Sequence, residues 1–183
     1  TEATGPILYS LLDQQEIDLA LCVTNHLPEA PYHCRVLKDS RLMLFVHKDH
    51  PLATRSSVDL KDLEDEPLVL FTDQFGQTRY LRRLFAACQV HPHVLHQTSQ
   101  VFTILEYIRH QAALGFLSEE FAQDEKNLVA IPVNQIATGH VNFVWNRDPN
   151  QFPALKRFLA FVKKRWPRQG QQDRSRLSSR EAL

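Results

Sequence analysis

Short apolar runs alternate along this chain with stretches of helical periodicity, and this alternation restricts the possible folds more than any other feature. Residues 42–46, 68–71 and 113–117 are apolar without interruption, which is typical of strands covered on both faces. Residues 81–88 and 101–112 instead repeat apolar side chains at helical spacing. Strands that alternate with helices predict an α/β fold with a mostly parallel sheet and right-handed crossovers.

Weaker patterns complete the predicted order of elements. Further strands are predicted at residues 17–23, 94–98, 128–133 and 141–145, and further helices at residues 8–12, 60–63 and 155–166. Pro51 ends regular strand pairing because proline lacks a backbone donor.

Charge and hydropathy exclude several classes of protein. The 21 lysines and arginines balance 21 aspartates and glutamates, which argues against a protein held to nucleic acid by its overall charge. No apolar run approaches the ~20 residues of a membrane span and no signal-peptide pattern opens the chain, so we expect no membrane partner. Met43 is the sole methionine and residue 1 is threonine, so we expect a fragment or a processed form.

The end of the chain differs from the rest in composition. Seven basic and two acidic residues lie between positions 163 and 183, and the sequence after Trp166 is polar and aperiodic. Residues 167–183 are therefore predicted to form a disordered basic tail.

The cysteines and histidines suggest no metal site. Cys22, Cys34 and Cys88 lack metal-ligand spacing and are predicted to be buried reduced thiols, which suits the cytoplasm, although spacing alone leaves a Cys22–Cys34 disulfide open. A cluster of three histidines follows Cys88, but it contains a proline and has no carboxylate nearby. These side chains, His91, His93 and His96, are predicted to be surface histidines.

The sequence contains no recognisable catalytic constellation. Nucleophile-elbow, phosphate-loop, dinucleotide-binding and zinc-protease motifs are all missing, and Asp49 and His50 are adjacent, which points them to opposite faces of an extended chain. We therefore expect no catalytic residue, no metal and no cofactor.

Several segments in a fixed order carry a resemblance to a known family. They are Leu12-x-x-x-Glu16-Ile17-Asp18-Leu19-Ala20-Leu21, residues 41–46 leading to Asp49-His50-Pro51-Leu52-Ala53, residues 58–63 before Glu66-Pro67-Leu68-Val69-Leu70, residues 128–132, residues 143–148 and residues 153–159. Over residues 8–162 the chain resembles the effector-binding domain of LysR-type bacterial transcriptional regulators. It departs from the family at residues 111–118, where two glycines and a proline are missing, and at Asn146, which replaces an arginine.

The resemblance implies two Rossmann-like lobes, as in type 2 periplasmic binding proteins. Lobe I would comprise residues 1–50 and 138–166 and would be incomplete at its N-terminus, and lobe II would comprise residues 51–137. The family's DNA-binding helix-turn-helix and the first strand and helix of its effector domain have no counterpart in this sequence.

On that basis the expected effector site has three edges near strand ends. Thr98, Ser99 and Gln100 would start the long helix of lobe II, Phe71 and Thr72 would follow its strand, and Thr24 and Asn25 would follow the strand of lobe I. A helix N-terminus offers free N–H groups and partial positive charge, which suits an anion between the lobes. Each residue also has a structural reading, in which Thr98 or Ser99 caps its helix and Thr72 lies in a turn.

The function expected from the resemblance is effector sensing by a cytoplasmic transcriptional regulator, without catalysis. The expected partners are a small, anionic effector, a second copy of the chain in a dimer or tetramer, and DNA through the missing helix-turn-helix. The alternatives are a solute-binding receptor for transport and an enzyme on the same bilobal fold. Without the family's first strand and helix, we expect residues 17–23 and 141–145 to have an unpaired neighbour and an exposed apolar face.

Overall fold

The computed structural model describes residues 3–24 and 28–166, with the backbone alone at residues 123 and 124. Within these residues, four α-helices and eight strands follow one another as α1 (Gly5–Asp13), β1 (Ala20–Thr24), β2 (His33–Ser40), β3 (Leu42–His47), β4 (Pro67–Phe71), α2 (Gly76–Ala87), β5 (His93–Thr98), α3 (Val101–Arg109), β6 (Leu114–Ser118), β7 (Leu128–Ile131), β8 (Gly139–Trp145) and α4 (Pro153–Arg165). Short 3-10 helices lie at Pro51–Thr54, Leu60–Leu63 and Glu119–Asp124. The predicted elements are present in the predicted order, and the predicted tail at residues 167–183 lies outside the described residues.

The chain divides into two compact units. Among the described residues, the large unit contains residues 3–10 and 40–139, and the small unit contains residues 11–24, 28–39 and 140–166. The lobe boundaries expected at residues 50 and 138 stay a prediction, whereas the compact units change over at residues 39/40 and 139/140. Strand β3 lies in the large unit because it pairs there with β6 and β7.

The large unit is built on a five-stranded sheet in the order β5-β4-β6-β3-β7. Strand β4 runs parallel to β5 and β6, but β3 runs antiparallel to both β6 and β7. In the small unit β1 is antiparallel to β8. The α/β class is confirmed and the mostly parallel sheet is wrong, because a continuous apolar run specifies burial on both faces but not strand direction.

Both faces of the five-stranded sheet are covered by apolar side chains. Leu44 and Leu68 pack with side chains of α2 on one face, and Phe45 and Val69 pack with side chains of α3 on the other. All four side chains are essentially inaccessible to water. The large unit is therefore a three-layer arrangement whose core owes its stability to burial on both sides of the sheet.

Gly115 sets the distance between α3 and the sheet. A Cβ at this position in β6 would lie 2.7 Å from Ile104 Cγ2 and 3.0 Å from Ile108 Cδ1, two side chains of α3. These distances are too short for ordinary packing, so only glycine lets the helix approach β6 this closely.

A glutamine with left-handed backbone lies two residues after the end of α1, α2 and α3. The φ angle is 59° at Gln15, 57° at Gln89 and 56° at Gln111. After α3 the N–H of Ala112 donates to the carbonyl of Tyr107 at 2.9 Å, which is the hydrogen bond of a Schellman turn. The first missing glycine of the family pattern falls at Gln111, and the glutamine keeps the turn that glycine normally makes.

The small unit has a three-stranded sheet in the order β1-β8-β2 with an apolar face left open. Leu21 and Val23 of β1 are 54% and 58% exposed, as expected. The expectation is wrong for residues 141–145, because β8 is the central strand and has a neighbour on each side. Strand β2 has no counterpart among the predicted elements, because residues 33–40 mix polar and apolar types without alternation.

Cys22, Cys34 and Cys88 are each half-buried, so the predicted full burial of their side chains is wrong. Within the described residues, no helix combines the length and hydropathy needed to span a bilayer.

Candidate functional site

The carboxyl ends of β4 and β5 bring two of the predicted site segments together. The strands are parallel, and Phe71 lies beside Thr98 in their register. Beyond the strand ends the N–H of Thr72 donates to the carbonyl of Thr98 at 3.0 Å. Parallel strands of open α/β sheets leave a crevice at this edge, where ligands bind.

Helix α3 begins at this edge, and its N-terminus differs from the one predicted. Gln100 occupies the N-cap position with extended backbone, and among the described residues no side chain caps the helix. The hydroxyl of Thr98 instead accepts a hydrogen bond from the N–H of Gln100 at 3.1 Å, and Ser99 is exposed. The expected capping role of Thr98 or Ser99 is therefore wrong, because the N-cap position falls on Gln100, one residue after Ser99 and two after Thr98.

The other end of α3 is held by ion pairs. Arg109 forms ion pairs with Glu125 and with Glu106 near the C-terminus of the helix. The hydrogen bonds that the guanidinium donates to Glu125 and to Glu106 raise the pKa of Arg109. The partial positive charge at the N-terminus of α3 comes from its own unbonded N–H groups, and the Arg109 ion pairs, with one cation between two carboxylates, fix the opposite end of the helix without adding to that charge.

Helix α2 also begins beside the strand ends without a side-chain cap. Its N-cap residue is Phe75, and no described side chain bonds to its first N–H groups. The Phe75 ring stacks on the Phe71 ring with centroids 4.7 Å apart, and these rings give the edge an aromatic wall. Phe102, in the first turn of α3, is 75% exposed and extends the apolar surface near that helix N-terminus.

Three polar side chains that sequence reasoning missed fix the shape of this edge. The carbonyl of Phe71 accepts hydrogen bonds from the hydroxyl of Thr78 at 2.9 Å and from the amide of Gln97 at 3.2 Å. The amide of Gln77 donates to the carbonyl of Phe116 at 2.8 Å. The signal in the sequence was the position of Gln77 and Thr78, polar residues in the first turn of α2, shortly after buried strand β4. Side-chain donors at such a helix start can bond to the backbone carbonyls at the strand ends.

Cations near the α2 N-terminus are bonded to their own loop. Arg79 donates to the carbonyls of Asp73 and Gln74 at 2.8 and 2.9 Å, and Arg82 pairs with the Asp73 carboxylate at 2.7 Å. Main-chain N–H groups and hydroxyls are thus the principal polar groups at this edge.

The remaining predicted site residues lie in the small unit. Thr24 ends β1, and its hydroxyl oxygen accepts a 2.7 Å hydrogen bond from the amide of Asn142. Asn25 lies outside the described residues. Sequence reasoning missed Asn142, although a polar residue on the inward face of a predicted strand signals a buried hydrogen bond.

Asn142 belongs to a polar group that crosses the small sheet. The residue opposite Thr24 in β8 is His140, and His140 Nδ1 lies 2.9 Å from Asp39 Oδ1 in β2. Asn142 also donates to the carbonyl of His140 at 2.8 Å. The side chain of Asn142 is fully buried, and its oxygen has no hydrogen-bond partner among the described residues.

The histidine cluster lies outside both polar regions. His91, His93 and His96 are exposed, and His96 stacks on Tyr107 with centroids 5.4 Å apart. In the described part of the chain, no group of three or more potential ligands is arranged to hold a metal ion.

Comparisons with known proteins agree with this architecture. Residues 1–167 match the family described as LysR substrate binding domain. An uncharacterised HTH-type transcriptional regulator of Bacillus subtilis (strain 168), YwbI, is 27% identical over 138 residues, covering 74% of this chain and 43% of the relative. The chain spans about half the length of the curated relatives it matches, with 43%, 49% and 50% for three of them.

Solved structures show the same fold at low sequence identity. The regulatory domain of CcmR from Synechocystis PCC6803, in complex with 2-PG, has a TM-score of 0.77 and 17% identity over 90% of this chain and 80% of that one. The effector binding domain of QuiR, in complex with shikimate, has a TM-score of 0.70 and 20% identity over 89% of this chain and 78% of that one.

Proposed function

This chain belongs to the LysR substrate binding domain family, whose members are transcriptional regulators, and we propose that it senses a small organic acid at the carboxyl edge of its five-stranded sheet. The single observation that carries this proposal is the uncapped N-terminus of α3 beside Thr72 and Thr98. Free N–H groups and partial positive charge at this point suit a carboxylate, and the Phe71–Phe75 stack suits an apolar ligand body.

The effect of the acid would be read by parts of the regulator outside this chain. We propose that DNA is bound by a helix-turn-helix segment in the native protein, as the names of the relatives suggest. We further propose a homo-oligomer in the cytoplasm. The exposed Leu21 and Val23 on edge strand β1 support it, because an open apolar edge recruits another chain.

A hydrolytic enzyme is the alternative that the small unit raises, because Thr24, His140 and Asp39 place a hydroxyl, an imidazole and a carboxylate side by side. A nucleophilic hydroxyl must give its proton to the imidazole. Among the described residues, the Thr24 side chain is hydrogen-bonded to Asn142 and not to His140, so the hydroxyl–imidazole pair that this reaction requires is not formed.

The proposal is tested by placing a charge on the α3 N-terminus. Gln100→Asp supplies an N-cap carboxylate that stabilises the helix by about 1 kcal/mol, while its charge repels an acid ligand. Gln100→Asn is the matched control, since it offers a similar cap without charge. We expect calorimetry with a panel of small carboxylic acids to show binding to the unchanged protein, weaker binding to the asparagine variant and none to the aspartate variant. Equal affinity in all three proteins would refute the site.

A further inference from the structure

Two buried N–H groups in the small unit have no acceptor among the described residues. They are Nε of Arg35 in β2 and Nε1 of Trp145 in β8. We propose that they form a second binding site, within the small unit alone, for the carboxylate of a small aromatic acid. Val144, next to Trp145, pairs with Ala20 at the start of β1, so this place lies at the other end of the strand from Thr24. The proposal does not depend on the function proposed for the edge of the large sheet.

Both side chains lie on the face of the small sheet that packs against α4. Phe143 is two positions before Trp145 in β8, so the two rings share a face. Phe143 contacts Phe158 of α4, with ring centroids 5.3 Å apart. Arg35 reaches the same helix from β2, because its Nη2 donates to the carbonyl of Trp166 at 3.0 Å. The two donors therefore belong to one layer, between the sheet and α4.

The stacking of His33 on Trp145 brings the two donors close to each other. The ring centroids are 5.9 Å apart, and β2 and β8 are neighbouring strands. Arg35 follows His33 by two positions and lies on the same face, so it is a diagonal neighbour of Trp145. Diagonal neighbours are about 7–8 Å apart at the backbone, a distance that aromatic and long side chains bridge. One small ligand can therefore meet both N–H groups.

The charge of Arg35 favours an anion over a water molecule as the acceptor. Among the described residues its guanidinium has one acceptor, the carbonyl of Trp166, and no carboxylate partner. The carbonyl groups at the end of α4 offset part of this charge, but the side chains of α4 add five cations and no acid. These cations are Lys156, Arg157, Lys163, Lys164 and Arg165. A water molecule would accept from the N–H groups but would leave the buried guanidinium without a counter-charge.

Two donors in an aromatic layer fit a carboxylate that is attached to a ring. A carboxylate can accept from Arg35 with one oxygen and from Trp145 with the other, whereas a phosphate has further oxygens that these donors leave unbonded. The apolar surface continues to the end of α4, where Phe161 and Trp166 are 58% and 49% exposed and contact each other edge to face. An aromatic ligand body buries this kind of surface in offset or edge-to-face contacts.

The two tryptophans of the chain make this site directly observable. Trp145 and Trp166 are its only tryptophans, and both lie in this layer, so intrinsic fluorescence reports on it. The probes are phenylacetate and hydrocinnamate, each titrated into the full chain beside its uncharged amide, with acetate as the acid that lacks a ring. We expect at least one aromatic acid to give a saturable change and to bind at least about ten-fold more tightly than its amide and than acetate. Equal affinity for acid and amide, or no saturable response to either acid at millimolar concentration, would overturn the site.

Substitutions separate the two donors from the general charge of α4. Arg35→Gln removes the charge and should weaken binding of the aromatic acid at least about ten-fold. Trp145→Phe keeps a ring, removes only the N–H and should weaken binding about five-fold, with Trp166 left as the fluorophore. Arg165→Gln is the matched control, because it removes the same charge from an exposed position beside Trp166, and it should change the affinity by less than about two-fold. Equal losses in the Arg35 and Arg165 variants would show general attraction to α4 and would overturn the site.

NMR of the indole groups decides the matter if Arg35→Gln fails to fold. The unchanged protein gives two indole N–H signals, one for each tryptophan, and Trp145→Phe identifies the signal of Trp145. We expect the Trp145 signal to move downfield as the aromatic acid is added and to move less with the amide, because a carboxylate is the stronger acceptor. A Trp145 signal that moves equally with acid and amide would contradict a carboxylate bound at its N–H.

The Gln100→Asp variant separates this site from the one proposed in the large unit. Gln100 lies at the N-terminus of α3, whereas both tryptophans lie in the small unit. We expect the fluorescence response to the aromatic acids to be the same in Gln100→Asp as in the unchanged protein. Loss of the response in this variant would show that the acid acts from the large unit and would overturn the second site. Acid binding that is unaffected by Gln100→Asp and abolished by Arg35→Gln would refute only the site in the large unit.

Discussion

The two units of this chain use similar local patterns but complete their cores to different degrees. In the large unit, side chains on both faces of the sheet are buried against α2 and α3. In the small unit Val144 and Leu155 are buried, but Leu21, Val23 and Phe161 remain more than half exposed. A sheet covered on both faces buries its apolar side chains within its own unit. A sheet with one open face needs a further element or a second chain to cover that face.

The two units also differ in how completely their buried polar groups are hydrogen-bonded. In the large unit, Thr78 and Gln97 use their donors on the carbonyl of Phe71. In the small unit, the buried oxygen of Asn142 lacks a partner among the described residues. Among the described residues, every buried side-chain nitrogen or oxygen without a hydrogen-bond partner lies in the small unit, so the buried side chains are satisfied in the large unit and not in the small one.

The largest expected effect comes from the same substitution at a buried leucine of the large unit and at an exposed leucine of the small unit. Leu44→Ala removes a fully buried side chain of β3 and should lower the free energy of unfolding by about 2–5 kcal/mol. Leu21→Ala makes the same chemical change on exposed β1 and should cost less than about 0.5 kcal/mol. Urea denaturation followed by circular dichroism measures both. A cost at Leu21 similar to that at Leu44 would show that the open face is covered in solution.

A second prediction concerns the close approach of α3 to the large sheet. Gly115→Ala forces a Cβ against Ile104 and Ile108 and should destabilise the large unit by about 1–3 kcal/mol. Gly76→Ala is the matched control, because its nearest neighbour would be a flexible Arg79 side chain at 3.8 Å, and it should be neutral or stabilising. Amide hydrogen exchange in β6 follows the large unit, and the tryptophan fluorescence of Trp145 and Trp166 follows the small one. Equal protection of β6 in the two variants would contradict this account of Gly115.

The smallest expected effect concerns stability at the left-handed glutamines that follow a helix in each unit, Gln111 and Gln15. Gln111→Gly relieves a left-handed glutamine and should stabilise the large unit by about 0.5–1 kcal/mol. Gln15→Gly in the small unit should gain less, because the Gln15 side chain also accepts a weak hydrogen bond from Arg147 at 3.5 Å. Thermal denaturation orders the two variants, and a larger gain at Gln15 would contradict the expectation.

The elements with strong apolar patterns were predictable, and those fixed by distant contacts were not. Residues 42–46 and 68–71 lie in β3 and β4 as predicted, because an uninterrupted apolar run indicates a buried strand without information from the rest of the chain. Strand β2 was missed because its pairing partner lies far along the chain and its own sequence does not alternate. Strand direction was also missed, since no local pattern encodes it.

The candidate site was predictable in place but not in detail. Phe71, Thr72 and Thr98 could be placed together, because parallel strands end at one edge. The capping prediction for Thr98 or Ser99 is wrong because the helix starts one or two residues later, with Gln100 as the N-cap, and sequence patterns rarely resolve a difference of that size. His140 was missed because its bond to Asp39 joins residues about a hundred positions apart. Thr24 and Asn25 stay predictions as effector contacts.

The path of the chain has a consequence for the order in which the protein assembles. The chain changes unit after residues 10, 39 and 139, and the central strand of the small sheet, β8, follows the last change. During synthesis every strand of the large unit leaves the ribosome before β8, so the large unit can fold while β1 and β2 still lack their common neighbour. Ala20 must then find Val144 across most of the chain, a long loop closure that slows folding. The small sheet is thus the last part to form, and its apolar strand β1 is the segment most exposed to chaperones and to aggregation in the interval.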